Sequence, residues 1–147
     1  MALDPSHADH HRDLAEVLIF AGRLEEALES IETAIRLNPH YPVTYPFTLG
    51  FAHAGIGFKD GSPEHYEKAI AALEEAIALN PNFTGSHLVL AFIYSETGQE
   101  QEARTQVAHA LEINPQLTLA AMKESVLFKE PAVMEAFLAA LEDAGLN

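Results

Sequence analysis

A tripeptide made of an aliphatic residue, Asp or Asn, and proline occurs four times and sets the spacing of this chain. The four copies are Leu3-Asp4-Pro5, Leu37-Asn38-Pro39, Leu79-Asn80-Pro81 and Ile113-Asn114-Pro115, and successive prolines are 34, 42 and 34 residues apart. Proline has no amide hydrogen and disfavours helical backbone at the preceding residue, so each tripeptide ends one helix and lets another begin. The chain is therefore predicted to repeat a helical unit of about 34 residues.

Apolar residues inside the first unit recur at steps of three and four, with glutamates between them. One such stripe consists of Leu24, Ala27, Leu28, Ile31, Ala34 and Ile35, and an upstream stripe consists of Leu14, Ala15, Leu18 and Ile19. This period is typical of an amphipathic helix, and Gly22 separates the two stripes. Each unit is thus predicted to be a pair of helices, and because one pair cannot bury its own stripe, neighbouring pairs must stack.

The unit length and its key positions resemble the tetratricopeptide repeat. The matching residues are Leu14-Ala15, Leu18, Gly22, Ala27, Ile31, Ala34 and Pro39 in the first unit; Leu49-Gly50, Gly57, Ala69, Leu73, Ala76 and Pro81 in the second; and Leu90-Ala91, Tyr94, Gly98, Ala103, Val107, Ala110 and Pro115 in the third. The usual early aromatic residue is absent, and His11, Pro46 and His87 stand in its place. The resemblance implies an all-α, right-handed superhelix, with repeats at about 6–39, 40–81 and 82–115 in a single domain of residues 1–147.

The pattern changes after the last Asx-Pro tripeptide. We expect one helix from Leu117 to Leu127 and another that starts at Pro131 and stops at Gly145. A stacked array needs a terminal element over its last apolar face, so residues 116–147 are predicted to be C-terminal capping helices.

The second unit is eight residues longer than its neighbours, and most of the extra length lies between Gly57 and Ala69. The composition of Gly57 to Pro63 predicts a loop, with Ser62 as the N-cap of the next helix and Pro63 as its first residue. This loop could be a tolerated surface insertion or a contact for a partner.

Composition excludes several classes of function. The chain has no cysteine, which rules out disulfides, thiolate catalysis and cysteine-ligated metal centres. Its net charge of −14 would repel nucleic acid and anionic lipid. The first residues lack both a basic start and an apolar signal segment, and the longest apolar run, Leu88 to Tyr94, is too short to span a bilayer. We therefore expect a cytoplasmic protein.

A narrower resemblance rests on three segments: the run from Leu14 to Gly22, the run from Asn38 to Pro42 that leads to Leu49-Gly50, and the tail from Phe128 to Pro131 that ends in Ala144-Gly145-Leu146. They resemble the C-terminal repeat region of bacterial class III adenylate/guanylate cyclases. The resemblance implies a regulatory part of a larger bacterial protein, and no catalytic or nucleotide-binding residue of that family has a counterpart here. The start at Leu3-Asp4-Pro5, the end of a preceding unit, also suggests a piece of a longer chain.

Histidines are the main candidates for chemistry. His7, His10 and His11 share a helix face and could bind a metal ion, which leaves a metal-dependent enzyme as one alternative. No H-E-x-x-H motif accompanies them, so a solvated first turn is the favoured interpretation. We interpret His53, His87 and His109 as packing residues, and we predict no enzyme, no cofactor and no metal.

The resemblance to the tetratricopeptide repeat implies that the first helix of each pair lines a concave groove. Its ligand-facing positions carry Asp9, Arg12, Glu16, Ile19 and Phe20, then Thr44, Phe47, Phe51 and Ala54, then Leu88, Phe92, Ser95 and Glu96. Nine of these residues form the predicted partner-binding groove: Arg12, Glu16, Ile19, Phe20, Phe47, Phe51, Leu88, Phe92 and Ser95.

The four phenylalanines of this groove allow two interpretations. They could form an apolar strip that binds a peptide or protein segment, with a cationic partner favoured by the negative charge. Alternatively, they could pack internally or lie under the C-terminal helices. The partner could be a domain of the chain's own parent protein, and homodimerisation is a further alternative.

Overall fold

A computed structural model describes residues 5–125 and 128–147. All regular secondary structure in these ranges is helical. The eight helices are α1 (Pro5–Phe20), α2 (Leu24–Leu37), α3 (Thr44–Asp60), α4 (Pro63–Leu79), α5 (Thr84–Glu96), α6 (Glu100–Ile113), α7 (Leu119–Ser125) and α8 (Pro131–Asp143). The predicted all-α class is confirmed.

Three of the Asx-Pro tripeptides end helices as expected. Asn38, Asn80 and Asn114 are the C-caps of α2, α4 and α6, and their N–H groups donate to the carbonyls of Ala34, Ala76 and Ala110. In the fourth tripeptide, Leu3 and Asp4 lie outside the described residues, and α1 begins at Pro5. The hairpin turns use Gly22 and Gly98, whose φ angles of 81° and 77° suit glycine.

The prediction of a loop in the second unit is wrong. Helix α3 continues to Asp60 and α4 starts at Pro63, so the insertion lengthens both helices to 17 residues each and leaves a turn at Gly61-Ser62. The glycines allow another chain segment to approach the helix closely: a Cβ atom at Gly57 would lie 2.8 Å from the ring of Tyr66. Ser62 and Pro63 do occupy the N-cap and the first turn of α4.

The helices form two layers because the pairs stack in sequence. The partners in each pair, α1 with α2, α3 with α4 and α5 with α6, pack against each other most extensively, and α2 and α4 each pack on the first helix of the next pair. The first helices also touch one another, α1 with α3 and α3 with α5. The array therefore curves with α1, α3 and α5 as its inner layer and with α2, α4 and α6 as its outer layer.

Alanines fill the interfaces between the helices. Ala15, Ala27, Ala34, Ala69, Ala76 and Ala110 are fully buried, and their small side chains let neighbouring backbones approach closely. Leu14 departs from the predicted stripe, since 48% of it is exposed.

The C-terminal segment reaches back across the inner layer. Helix α7 begins at Leu119, two residues after the predicted start, and the predicted helix end at residues 126 and 127 lies outside the described ranges. Helix α8 packs on α5 and α7 and buries Phe137 and Leu141. The backbone N–H of Lys129 donates to the carbonyl of Phe20 at 2.9 Å, which attaches this segment to the end of α1. Within the described part of the chain, no helix is long and apolar enough to cross a bilayer.

Candidate functional site

All eight phenylalanines of the chain belong to one connected series of ring contacts on the inner layer. Eight ring pairs link them, with centroid distances between 4.9 Å (Phe47 to Phe83) and 6.0 Å (Phe128 to Phe137). Several pairs are edge-to-face, the geometry that places the positive edge of one ring on the negative face of another. Three of the four predicted groove phenylalanines, Phe20, Phe47 and Phe51, contact one another in this series.

The C-terminal segment covers part of the predicted groove. The ring of Phe128 lies 5.2 Å from that of Phe20 and 5.8 Å from that of Phe51. The ring of Phe137, on α8, lies 5.8 Å from that of Phe92. Of the two interpretations that the sequence left open, internal packing therefore applies to Phe92, which is buried, whereas Phe20, Phe47 and Phe51 are half-buried.

Six of the nine predicted groove residues line one remaining cavity of about 140 Å³: Glu16, Ile19, Phe20, Phe47, Phe51 and Leu88. They come from α1, α3 and α5, so all three helix pairs contribute to it. Met122 of α7 and Phe137 of α8 complete the wall. We call this space the inner cavity. Its lining is apolar except for Glu16 and Thr48, and the hydroxyl of Thr48 donates to the carbonyl of Thr44 at 2.7 Å.

A second apolar cavity, of about 100 Å³, adjoins the inner cavity. It shares Phe20, Phe51 and Phe137 with the inner cavity, and Phe92 is the additional groove residue that lines it. The rings of Phe20, Phe51 and Phe137 thus border both spaces.

The other two predicted groove residues lie outside both cavities. Arg12 Nη1 is 2.8 Å from Glu16 Oε2, so this ion pair lies beside the inner cavity, and Arg12 also pairs with Asp13. Ser95 is half-buried near the end of α5. Close to it, burial raises the pKa of the Glu96 carboxyl.

The outer layer carries a polar cleft that the sequence analysis missed. It lies between α2 and α4, with α3 as its floor, and has a volume of about 560 Å³; we call it the outer cleft. Its lining residues are Leu28, Glu32, Ile35, Arg36, Leu49, His53, His65 and Lys68. Two of the chain's eight lysines and arginines are among them, which concentrates positive charge in an acidic protein.

Two histidines meet at the floor of the outer cleft. His53 Nδ1 and His65 Nδ1 are 3.0 Å apart, and the two ring centroids are 5.2 Å apart. His53 is only 8% exposed, and burial, followed by the charges of His65 and Lys68, lowers the pKa of its imidazole to about 4. It is therefore neutral at pH 7. The prediction of His53 as a packing residue agrees with its burial, but the pairing with His65 was not foreseen, because it depends on how α3 and α4 align.

The other histidines differ from this pair. Both ring nitrogens of His87 are engaged, Nδ1 with Gln106 Oε1 at 2.8 Å and Nε2 with the carbonyl of Pro81 at 3.2 Å. His109 is exposed, which contradicts its interpretation as a packing residue. The rings of His7 and His11 lie 5.0 Å apart at the start of α1, and no group of three or more metal-binding side chains converges among the described residues.

Comparison with known proteins places the chain beside other helical repeat proteins. A family model described as tetratricopeptide repeat matches residues 63–125, and a second model with the same description matches residues 13–41. Anaphase-promoting complex subunit 3 from Schizosaccharomyces pombe is 31% identical over 90 residues. That match covers 61% of this chain but only 12% of the yeast protein.

Two solved structures share the fold. The crystal structure of MamA aligns with a TM-score of 0.65 and 21% identity over 96% of this chain and 78% of that one. A thermophilic TPR protein from Thermus thermophilus aligns with a TM-score of 0.66 and 23% identity over 96% of this chain and 69% of that one. These similarities support the superhelical arrangement of the helix pairs.

Proposed function

We propose that this chain, which contains tetratricopeptide repeats, is a protein-interaction module that binds a partner segment at the inner cavity. The observation that carries the proposal is that three successive helix pairs line one open apolar space. An apolar cavity of about 150 Å³ in a protein holds a group the size of benzene. The inner cavity, at about 140 Å³, has the capacity for one large apolar side chain.

The charge around the inner cavity favours a cationic partner. Glu16 lines the cavity, Glu16 and Asp13 together outnumber their shared partner Arg12, and the whole chain carries a net charge of −14. A segment with one aromatic or aliphatic anchor and flanking lysines or arginines would bury the anchor and place its charges near carboxylates. We propose this chemistry for the partner.

The C-terminal segment is part of the folded protein rather than a displaceable ligand. Helix α8 and the residues after it bury Phe137, Ala140, Leu141, Ala144 and Leu146 in the main hydrophobic core. Burying one large apolar side chain contributes about 1.5–3 kcal/mol, so displacing α8 would cost far more than a single anchor can supply. The partner is therefore expected to use the inner cavity with α8 in place.

The experiment uses a short helical peptide of alanine and lysine with one central phenylalanine, titrated by fluorescence anisotropy. We expect the phenylalanine peptide to bind about tenfold more tightly than its alanine counterpart, as burial of the anchor predicts. Phe47→Asp should remove this preference, because Phe47 is half-buried in the cavity wall. The matched control is Leu79→Asp on α4, where the leucine is 52% exposed and does not line the cavity. Equal affinity for the two peptides would contradict the proposal.

Self-association is a second candidate function that one observation favours. Leu14 and Val17 lie one turn apart on α1 and are 48% and 65% exposed, an apolar surface at the end of the array. A second copy could stack there as one repeat stacks on another. Sedimentation at rising concentration should show a dimer that Val17→Lys abolishes, and a monomer at every concentration would contradict this role.

The place of the module in a larger bacterial protein, such as a class III cyclase, stays a prediction from the sequence. Residence in the cytoplasm stays one as well. The coding sequence upstream of Leu3 would test the first: a cyclase catalytic domain there would support it, and an unrelated sequence would contradict it.

A further inference from the structure

The outer cleft combines half-buried apolar side chains with exposed basic ones. Leu28 and Ile35 of α2 and Leu49 of α3 line it and are half-buried. Arg36 of α2 and Lys68 of α4 also line it, and both are exposed. An apolar surface beside cations is complementary to a ligand that carries an aliphatic group next to a carboxylate, because each part would meet a matching surface.

The basic side chains of the cleft are available to a ligand. Arg36 Nη2 donates to Thr33 Oγ1 at 3.1 Å, which leaves other N–H groups of the guanidinium for an acceptor. Among the described residues, neither Arg36 nor Lys68 forms an ion pair with a carboxylate, whereas Arg12 and Arg23 both do. The planar guanidinium suits a carboxylate, which can accept two of its hydrogen bonds at once.

The charge in the cleft is opposite in sign to that of the whole chain. Arg36, Lys68 and the single carboxylate of Glu32 line it, whereas the chain carries a net charge of −14. The positive field reaches the floor, since burial, the charge of His65 and the charge of Lys68 together lower the pKa of His53. At physiological salt, exposed charges more than about 8 Å apart are largely screened. A ligand in the cleft therefore responds mainly to Arg36 and Lys68.

We propose that the outer cleft binds an acidic segment of a partner protein, with an aliphatic side chain against Leu28, Ile35 and Leu49 and a carboxylate beside Arg36 and Lys68. The size of the cleft supports a segment over a small anion. An apolar cavity of about 150 Å³ holds benzene, and the cleft, at about 560 Å³, has room for more than one side chain. A helix with leucine and glutamate one turn apart would present both to it.

The test uses a short helical peptide of alanine and glutamine that carries one leucine and, one turn later, one glutamate. Its affinity is compared with that of the same peptide with lysine in place of the glutamate, by fluorescence anisotropy at about 0.15 M salt. We expect the glutamate peptide to bind about fivefold more tightly. The net charge of −14 alone favours the opposite order, so a preference for the lysine peptide would overturn the proposal.

A charge reversal in the cleft sharpens the test. Lys68→Glu should make the protein prefer the lysine peptide, and circular dichroism checks that the variant remains helical. The matched control is Lys123→Glu on α7, which changes an exposed lysine outside the cleft by the same charge and should keep the preference for glutamate. Equal loss of preference in the two variants would overturn the proposal, because the overall charge would then decide binding.

The position of the bound peptide is read from the histidine rings by nuclear magnetic resonance. The glutamate peptide should shift the ring signals of His53 and His65, which line the cleft, and leave those of His87, whose two nitrogens are engaged elsewhere. Shifts at His87 without shifts at His53 and His65 would overturn the proposal. A dimer in sedimentation that Lys68→Glu dissolves would overturn the choice of partner, because a second copy would then occupy the cleft.

This site can fail independently of the inner cavity. Phe47→Asp should leave the affinity for the glutamate peptide unchanged, because Phe47 does not line the outer cleft. Lys68→Glu should likewise leave the preference for phenylalanine over alanine at the inner cavity, which Lys68 does not line. Loss of glutamate-peptide binding in the folded Phe47→Asp variant would overturn the assignment of this peptide to the outer cleft.

Discussion

The inner and outer layers of this array come from the same stacked hairpins, yet they offer opposite surfaces. On the inner layer the first helices touch one another, and phenylalanines pack on them with the C-terminal segment laid across. On the outer layer α2 and α4 are joined through α3, and the space between them is a cleft lined by Glu32, Arg36, His53, His65 and Lys68, among others. Curvature is the cause: it brings one layer together and opens the other.

The two layers differ in the chemistry of their surfaces. The inner layer removes apolar surface from water and leaves cavities large enough for one side chain. The outer layer instead presents charged and titratable side chains beside the buried His53.

The largest expected change in stability comes from removing a ring with which α8 covers the inner layer. Phe137→Ala should lower the free energy of unfolding by about 3–5 kcal/mol, because it removes a buried ring that contacts two other phenylalanines and leaves a larger cavity. Urea denaturation followed by circular dichroism measures this change. The control is Leu79→Ala, whose side chain is half exposed, with an expected change within about 0.5 kcal/mol. Similar losses in the two variants would mean that α8 does not close the inner layer.

A smaller change in stability is expected at a close contact between α3, in the inner layer, and α4, in the outer layer. A Cβ atom at Gly50 of α3 would lie 2.7 Å from Leu73 Cγ and 3.2 Å from the carbonyl oxygen of Ala69, both on α4. Gly50→Ala should therefore cost about 1–3 kcal/mol through overpacking, although alanine is the better helix former.

Gly85→Ala on α5 is the matched control for this substitution. Its Cβ atom would lie 3.0 Å from the ring of Phe47, which is half-buried and can shift. We expect a change in unfolding free energy within about 0.5 kcal/mol. If Gly50→Ala is equally harmless, then the spacing of α3 and α4 is not fixed by this contact.

The sequence predicts the helix ends well because their chemistry is local. Asn38, Asn80 and Asn114 cap helices where proline follows, and Gly22 and Gly98 turn the chain between helices. The stretch around Gly57 was predicted wrongly since glycine also permits a close approach. Position 57 requires glycine because the ring of Tyr66, on the next helix, packs against it. No local sequence pattern reveals that contact.

The same difference between local sequence signals and long-range packing applies to the candidate sites. Repeat spacing places Phe20, Phe47 and Phe51 on one layer, which is where the structure has them. Phe128 and Phe137 lie beyond the last repeat, so no repeat register relates them to the groove they cover. His53 and His65 are twelve residues apart on two helices. Their meeting depends on the length of the insertion between them, which the sequence analysis assigned to a loop.

The smallest expected change in stability comes from a polar side chain that is buried in the inner layer. Ser86 on α5 is fully buried, and its hydroxyl has no hydrogen-bond partner among the described residues. Removing an unpaired buried hydroxyl relieves its desolvation cost, so Ser86→Ala should raise the free energy of unfolding by about 1 kcal/mol. The matched control is Thr48→Val on α3, which removes a buried hydroxyl that does donate a hydrogen bond and should lower stability by about 1 kcal/mol. Opposite signs in urea denaturation would show that hydrogen bonding decides which polar groups the inner layer tolerates. A loss of stability in Ser86→Ala would instead mean that this hydroxyl has a partner in solution.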